Sequence, residues 1–180
     1  MKLNHLGSKK IEFQDIILDV EQKDFVNKIY ELFNDKDICD KQGWIYYDSL
    51  DKFSQMINDL KRSINDYNWI VYLKDSMQPV GIIGVHTQNE LAYSCEIGYG
   101  IHPDYQNHGY ATEALKAVTQ FLINEVGFNR VVCKYREGNN QSKKVMEKAG
   151  FTYEGCERQA RFRNNKFLDL YIYSFIKDDI

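Results

Sequence analysis

A chain of 180 residues, 27% of them charged and with a net charge of −3, has room for one sizeable core, and its slight acidity speaks against a general nucleic-acid binder. No apolar run approaches the length of a membrane span, and Met1-Lys2-Leu3-Asn4-His5 lacks the apolar stretch of a secretory signal, so a cytoplasmic location is expected. Cys39, Cys95, Cys133 and Cys156 are widely spaced, with no Cys-x-x-Cys pair or histidine cluster, which predicts neither a metal site nor a disulfide framework.

After a polar leader, residues 11–20 read as a first strand. Phe25, Ile29, Leu32 and Phe33 then recur at helical spacing. Residues 34–43, carrying Asp35, Asp37 and Asp40, read as a polar break. A second helix is expected from about Ser49, with Leu50, Phe53, Ile57, Leu60 and Ile64 on one stripe and Asp48 or Ser49 as its cap. Residues 69–73 and 80–87 read as strands joined by a hairpin turn at Asp75-Ser76-Met77-Gln78, and residues 91–101 as a third strand of the meander. Pro103 ends that strand. The helix after Gly109 places Ala111, Ala114, Leu115, Val118 and Leu122 on one face, and Gly127 suits its C′ position. Residues 131–135 form a strand, 140–149 a short helix ending at Gly150, and 151–154 begin another strand. Residues 168–176 supply a last strand. Without repeat, low-complexity tract or linker, the simplest assembly is one α/β domain over residues 1–180, with a mixed, largely antiparallel sheet. Its 13 Tyr and 10 Phe suggest a tightly filled interior and an aromatic substrate pocket.

Gln106-Asn107-His108-Gly109-Tyr110-Ala111 lies where a strand runs into a helix. Such a loop turns successive backbone N–H groups toward one point at the positive end of a helix dipole, an anion site suited to a pyrophosphate. Gly109 permits close approach of the backbone, and Ala111 keeps the next turn small. A plain strand-to-helix turn with an incidental glycine is the alternative. Nucleotide hydrolysis is excluded, because no Gly-Lys-Ser/Thr follows.

The order Gln-x-x-Gly-x-Ala resembles the acyl-CoA loop of the GNAT family of N-acetyltransferases. Glu96-Ile97-Gly98-Tyr99, Tyr110-Ala111-Thr112-Glu113-Ala114-Leu115, Asn139-x-x-Ser142 and Glu147-Lys148-Ala149-Gly150-Phe151 match it at the expected separations. The tail from Glu154-Gly155 through Asp169-Leu170-Tyr171 looks like the branch of ribosomal-protein N-terminal acetyltransferases. The resemblance spans about residues 11–176. It implies the GNAT fold: a twisted, mixed, mostly antiparallel sheet flanked by helices on both faces. It also implies acetyl-CoA as co-substrate, no metal, and an amine acceptor rather than nucleic acid or membrane, in a monomer or homodimer. By the same resemblance, the backbone from His108 through Tyr110 and Ala111 to Thr112 would hold the pyrophosphate, with Gln106, Asn107 and Gly109 shaping the loop. The strand from Ile97 to Ile101 would lie beside the pantetheine arm, and Asn139 and Ser142 would contact pantetheine and thiol. Asn139 is also the obvious N-cap of the next helix.

Acetylation of an amine needs a group to take its proton. Glu96, among Ala92, Ser94 and Gly98 on its strand face, is the candidate, with a paired structural carboxylate as its other reading. Many family members place a tyrosine four positions before the helix-ending glycine, but this chain has Met146 there. Ser142 would then steady the departing thiolate by a hydrogen bond. Trp44 and Tyr46 beside Asp35, Asp37, Asp40 and Asp48, with Tyr171 on the last strand, are candidate acceptor contacts suited to a cationic amine. A solvated loop with core aromatics is the alternative, as a solvated hairpin is for the basic run Arg158, Arg161 and Arg163. A catalytically inert acyl-CoA-binding module is the rival function.

Overall fold

The computed structural model describes residues 2–20, 25–42, 44–59 and 66–180. Its eight strands form a single sheet in the order β1-β2-β3-β4-β5-β6-β8-β7. In chain order the elements are β1 (Ile11–Phe13), β2 (Ile16–Asp19), α1 (Phe25–Phe33), α2 (Lys36–Gln42), α3 (Leu50–Asp59), β3 (Asn68–Leu73), β4 (Pro79–Asn89) and β5 (Ser94–Ile101). Then come α4 (Tyr110–Phe121), β6 (Arg130–Arg136), α5 (Asn140–Lys148), β7 (Thr152–Arg163) and β8 (Lys166–Ile176). The chain divides into two compact units: an N-terminal one of Leu6–Ile83 and Tyr99–Ala114, and a C-terminal one of residues 2–5, Gly84–Gly98 and Leu115–Ile180.

In the N-terminal unit, the expected first strand is broken in two. Gln14 takes a left-handed φ of 39°, and Ile11–Phe13 folds back antiparallel on Ile16–Asp19, with Ile11 opposite Leu18 and Phe13 opposite Ile16. The Asp15 N–H at that turn donates to Glu113 Oε2 at 3.1 Å. Ile29 and Phe33 of α1 and Phe53 and Ile57 of α3 close over Ile17, Ile70 and Tyr72 of β2 and β3. Each large aliphatic side chain fully removed from water there contributes about 1.5–3 kcal/mol. Leu50 leaves the expected stripe and stays 37% exposed, whereas Leu60 and Ile64 lie outside the described residues.

The stretch read as a polar break contains α2. Asp35 starts it by accepting from Ile38 N–H at 2.9 Å and, through its carbonyl, from Cys39 N–H at 2.8 Å. A side-chain cap plus buried Cys39 outweighs the polar composition of this segment. Gly43 lies outside the described residues. At α3, Ser49 Oγ accepts from Lys52 N–H at 3.4 Å, and Asp48 pairs with Lys52 Nζ at 2.8 Å. Of the two expected cap residues, Ser49 therefore meets the backbone and Asp48 makes an ion pair instead.

In the C-terminal unit, β5 begins at Ser94, not at residue 91. Residues 90–93 form a turn in which Tyr93 takes a φ of 49°, its carbonyl accepts from Asn129 and Arg130 N–H, and Leu91 is 97% exposed. After α4 the backbone widens into a π-turn at Leu122–Val126, which Gly127 closes in a left-handed conformation with its N–H on Leu122 O at 3.1 Å. β5 pairs with β6 in parallel, and β6-β8-β7 continue antiparallel. The register divides the two faces. Ile97, Cys133, Tyr173, Val131 and Phe175 lie on one, which is buried, and Phe151 of the chain after α5 packs on Phe175. Glu96, Val132, Lys134, Ile172 and Ser174 lie on the other.

Candidate active site

The loop from Gln106 to Thr112 is built in the N-terminal unit by two opposed devices. At its start, Gln106 Nε2 donates to Ile101 O at 2.9 Å, tying the loop to the end of β5 and occupying that carbonyl. At its end, Thr112 and Glu113 N–H close on Gly109 O at 2.9 and 3.1 Å, opening α4. Between them, Asn107 and Gly109 take left-handed φ values of 67° and 96°. That alternation aims successive amides one way. Among the described residues, the N–H groups of Asn107, His108, Gly109, Tyr110 and Ala111 have no acceptor. Five consecutive donors at the positive end of a helix make a cradle whose arrangement suits a multiply charged anion. His108 and Tyr110 stack at 5.6 Å along its rim. Beneath it, burial raises the Glu113 carboxyl above its ordinary range, opposed by the hydrogen bond from Asp15 N–H.

Trp44 and Tyr46 also belong to the N-terminal unit. Trp44 leans on Phe33 at 4.9 Å and covers Gly100, where a Cβ would come within 2.8 Å of Nε1; Gly100 is the flat seat for that indole. Tyr46 remains 41% exposed. Phe33 also meets the buried His102 edge-on at 5.9 Å. Burial lowers the His102 imidazole's affinity for a proton against the pull of Asp104 and Asp35, and Nδ1 accepts from Asp104 N–H at 3.3 Å. Two of the acids thought to attract a cation are otherwise employed: Asp35 caps α2 and Asp48 holds Lys52.

In the C-terminal unit, the sheet face carrying Glu96 forms an open cleft of about 410 Å³, lined among others by Ser94, Glu96, Arg130, Lys134, Glu157 and Ile172. Lys134 Nζ lies 3.2 Å from Glu96 and 3.2 Å from Glu157. Burial alone would loosen the lysine's proton; the hydrogen bonds to Glu157 and Glu96 outweigh it, and the net shift is upward. Beside this trio, Arg130 is paired with Glu154, which also accepts from Ser174 Oγ at 2.7 Å. The sequence reading missed Lys134 and Glu157. The available signal was a lysine interrupting the apolar strand Val131-Val132-Cys133, a position that demands a carboxylate.

Asn139 caps α5, its Oδ1 accepting from Ser142 N–H at 3.2 Å, so the side chain serves the helix whatever else it contacts. Tyr171 does not share the Glu96 face. It lies with Tyr135, its register partner, on the opposite side of the sheet, the rings stacked at 5.0 Å. Tyr173 on that side donates to Glu147 Oε1 at 3.2 Å, and its hydroxyl is pushed up to about 12, by burial first and then by Glu147.

Residues 16–152 match the model of the family described as acetyltransferase (GNAT) domain. The chain is 26% identical to the uncharacterized N-acetyltransferase YoaA of Bacillus subtilis (strain 168), over 83% of this chain and 86% of that one. It is 25% identical to the ribosomal-protein-serine acetyltransferase of Escherichia coli (strain K12), over 92% and 94%. Among solved structures, the ribosomal L7/L12 alpha-N-protein acetyltransferase RimL in complex with coenzyme A superimposes with a TM-score of 0.78 at 18% identity, covering 96% of this chain and all of that one (100%).

Proposed function

Because the chain belongs to the GNAT acetyltransferase family and is thereby an acetyl-CoA-dependent acetyltransferase, we propose that its acceptor is a primary amine, either a protein or peptide N-terminus or a small cationic amine. The observation that carries this reading is the cleft in which Glu96 and Glu157 flank Lys134. With Arg130 balanced by Glu154, the two carboxylates around the one ammonium leave a net negative site, which favours a positively charged nitrogen. The relatives named for ribosomal N-acetylation support the peptide alternative.

The reaction is direct attack of the amine on the thioester carbonyl within a ternary complex. Proximity supplies much of the rate. Glu96, held in place by Lys134, takes a proton from the ammonium before attack, directly or through water, which frees the nitrogen lone pair. The C–N bond forms, the C–S bond breaks, the nitrogen's second proton passes to the departing sulfur, directly or through water, and the Ser142 hydroxyl donates a hydrogen bond to that sulfur as it leaves. The amides of residues 107–111 suit the pyrophosphate of the co-substrate, and Asn139 its pantetheine arm. Thiol release from acetyl-CoA with peptides, polyamines and amino sugars tests the reading. Turnover with at least one primary amine is expected, and acetyl-CoA binding without turnover of any would leave an inert binding module.

A further inference from the structure

The cleft face of the C-terminal unit is graded in charge. Val132, Lys134 and Arg136 alternate along β6, so Arg136 lies one pleat beyond Lys134 on the same face. On β8 their partners are Ile172 for Lys134 and Leu170 for Arg136. On β7, Glu157 is opposite Leu170, Arg161 opposite Leu168 and Arg163 opposite Lys166. Residues 166, 168, 170 and 172 share one side of a regular strand, so Arg161 and Arg163 join Arg136 on the face that carries Glu96 and Glu157. Their closeness is felt electrostatically: after burial, Arg163 and Arg161 are what make the Arg136 charge less favourable. The aromatic pair Phe162 and Phe167, 4.9 Å apart, takes the opposite face. Asp169 also turns away, accepting from Gln159 N–H at 2.7 Å. From residue 158 to 168 the hairpin carries Arg158, Arg161, Arg163 and Lys166 and no acid, in a chain whose net charge is −3.

Resting on the amine-acetylation reading, we propose that the acceptor is a peptide N-terminus followed closely by acidic side chains, which Arg136, Arg161 and Arg163 bind. A strand rises about 3.3 Å per residue, so the Arg136 row, from which Glu157 reaches Lys134, lies about 7 Å, the Arg161 row about 13 Å and the Arg163 row about 20 Å beyond the Lys134–Ile172 row. An extended peptide whose terminal ammonium meets Glu96 and Glu157 brings its third, fifth and seventh residues alongside Arg136, Arg161 and Arg163 in turn. Guanidinium groups bind carboxylates through paired hydrogen bonds, and like charges there reject the wrong partner. A polyamine, cationic along its length, satisfies the acidic end and is repelled at the basic end. The gradient therefore separates the two acceptor classes that the cleft alone admits.

The test compares three synthetic peptides beginning Ser-Ala and carrying three glutamates, three glutamines or three lysines at positions three, five and seven, with spermidine alongside, each followed by thiol release. kcat/KM for the glutamate peptide should exceed that for the lysine peptide by about tenfold or more, with spermidine poorer still, and added salt should narrow the gap. Combined Arg161→Glu and Arg163→Glu should reverse the order of the glutamate and lysine peptides. Lys177→Glu, at the opposite end of β8, should preserve it. Should the reversal variant fold poorly, Arg161→Gln with Arg163→Gln must still narrow the ratio. Equal kcat/KM for all three peptides, an order unchanged in the arginine variants, or spermidine as the best acceptor would overturn the proposal. If acetyl-CoA fails to raise the melting temperature of the wild type, the acetyltransferase reading itself fails. If it binds and only small amines are turned over, the peptide proposal alone fails.

Discussion

Lys134 is the residue that organises the proposed acceptor cleft, because it contacts both Glu96 and Glu157. Its ammonium ties the Glu96 and Glu157 side chains together across the sheet face. Lys134→Met removes the positive charge and leaves two like charges across a partly desolvated gap. Loss of hydrogen bonds to a charged group costs about 1.5–3 kcal/mol. Without the lysine Glu96 is no longer held in place, so Lys134→Met should lower kcat severalfold while acetyl-CoA still binds. Lys134→Arg, which keeps the charge and the donors, should restore most of kcat; a kcat indifferent to Lys134→Met would mean that the lysine does not position Glu96. The companion variant is Glu96→Gln. It should bind acetyl-CoA as the wild type does and lose roughly 10²–10⁴ in kcat, the usual share of general base catalysis. Ser142→Ala should lose less, since a hydroxyl only steadies the thiolate, and a larger loss than that of Glu96→Gln would reverse the two roles.

At the scale of elements, the loop before α4 and the cap of α5 make separate predictions. A Cβ at Gly109 would meet only Glu113 Oε1, at an ordinary 3.8 Å, so space is not what excludes a side chain there; the φ of 96° is. Gly109→Val should cost about 1–3 kcal/mol in backbone strain or tip the amides of the cradle out of line. The melting temperature of the folded variant should then no longer rise with acetyl-CoA, whereas 100 times Kd stabilises the wild type by about 2.7 kcal/mol. A preserved rise would remove the cradle from the account. Asn139→Ala should cost about 0.5–2 kcal/mol by uncapping α5, measured by urea unfolding without ligand. Any further fall in acetyl-CoA affinity reports a contact beyond the cap. Much of this was legible in the sequence, since glycine at a strand-to-helix junction and Asn-x-x-Ser before a helix are local signals with local causes. The helix α2 escaped because one cap outweighed a polar composition, and Leu91 because β-rich spelling ran on into a turn set by Tyr93. The Glu96–Lys134–Glu157 trio was out of reach for a different reason. Its members come from three strands, and only the sheet register makes them neighbours.

For the molecule as a whole, a modest net charge hides strongly coupled pairs, and the Arg130–Glu154 pair gives stability a definite pH dependence. The hydrogen bonds from Arg130 hold the Glu154 carboxyl down at about 2, against the cost of burial and with help from Ser174. A carboxylate near 4.5 in the unfolded chain and near 2 in the folded one binds its proton more tightly when unfolded. The pair therefore stabilises the fold fully above about pH 4.5, and that contribution is lost as pH falls toward 2. Removing the guanidinium erases the difference. The stability gap between wild type and Arg130→Gln, measured by urea unfolding at a series of pH values, should be constant from pH 7 to about 5 and shrink steadily below that. The side chains are partly open to solvent, so added salt should narrow the plateau gap as well. A gap equally wide at pH 7 and pH 3 would mean that Arg130 contributes through the packing of its aliphatic stem instead of its charge.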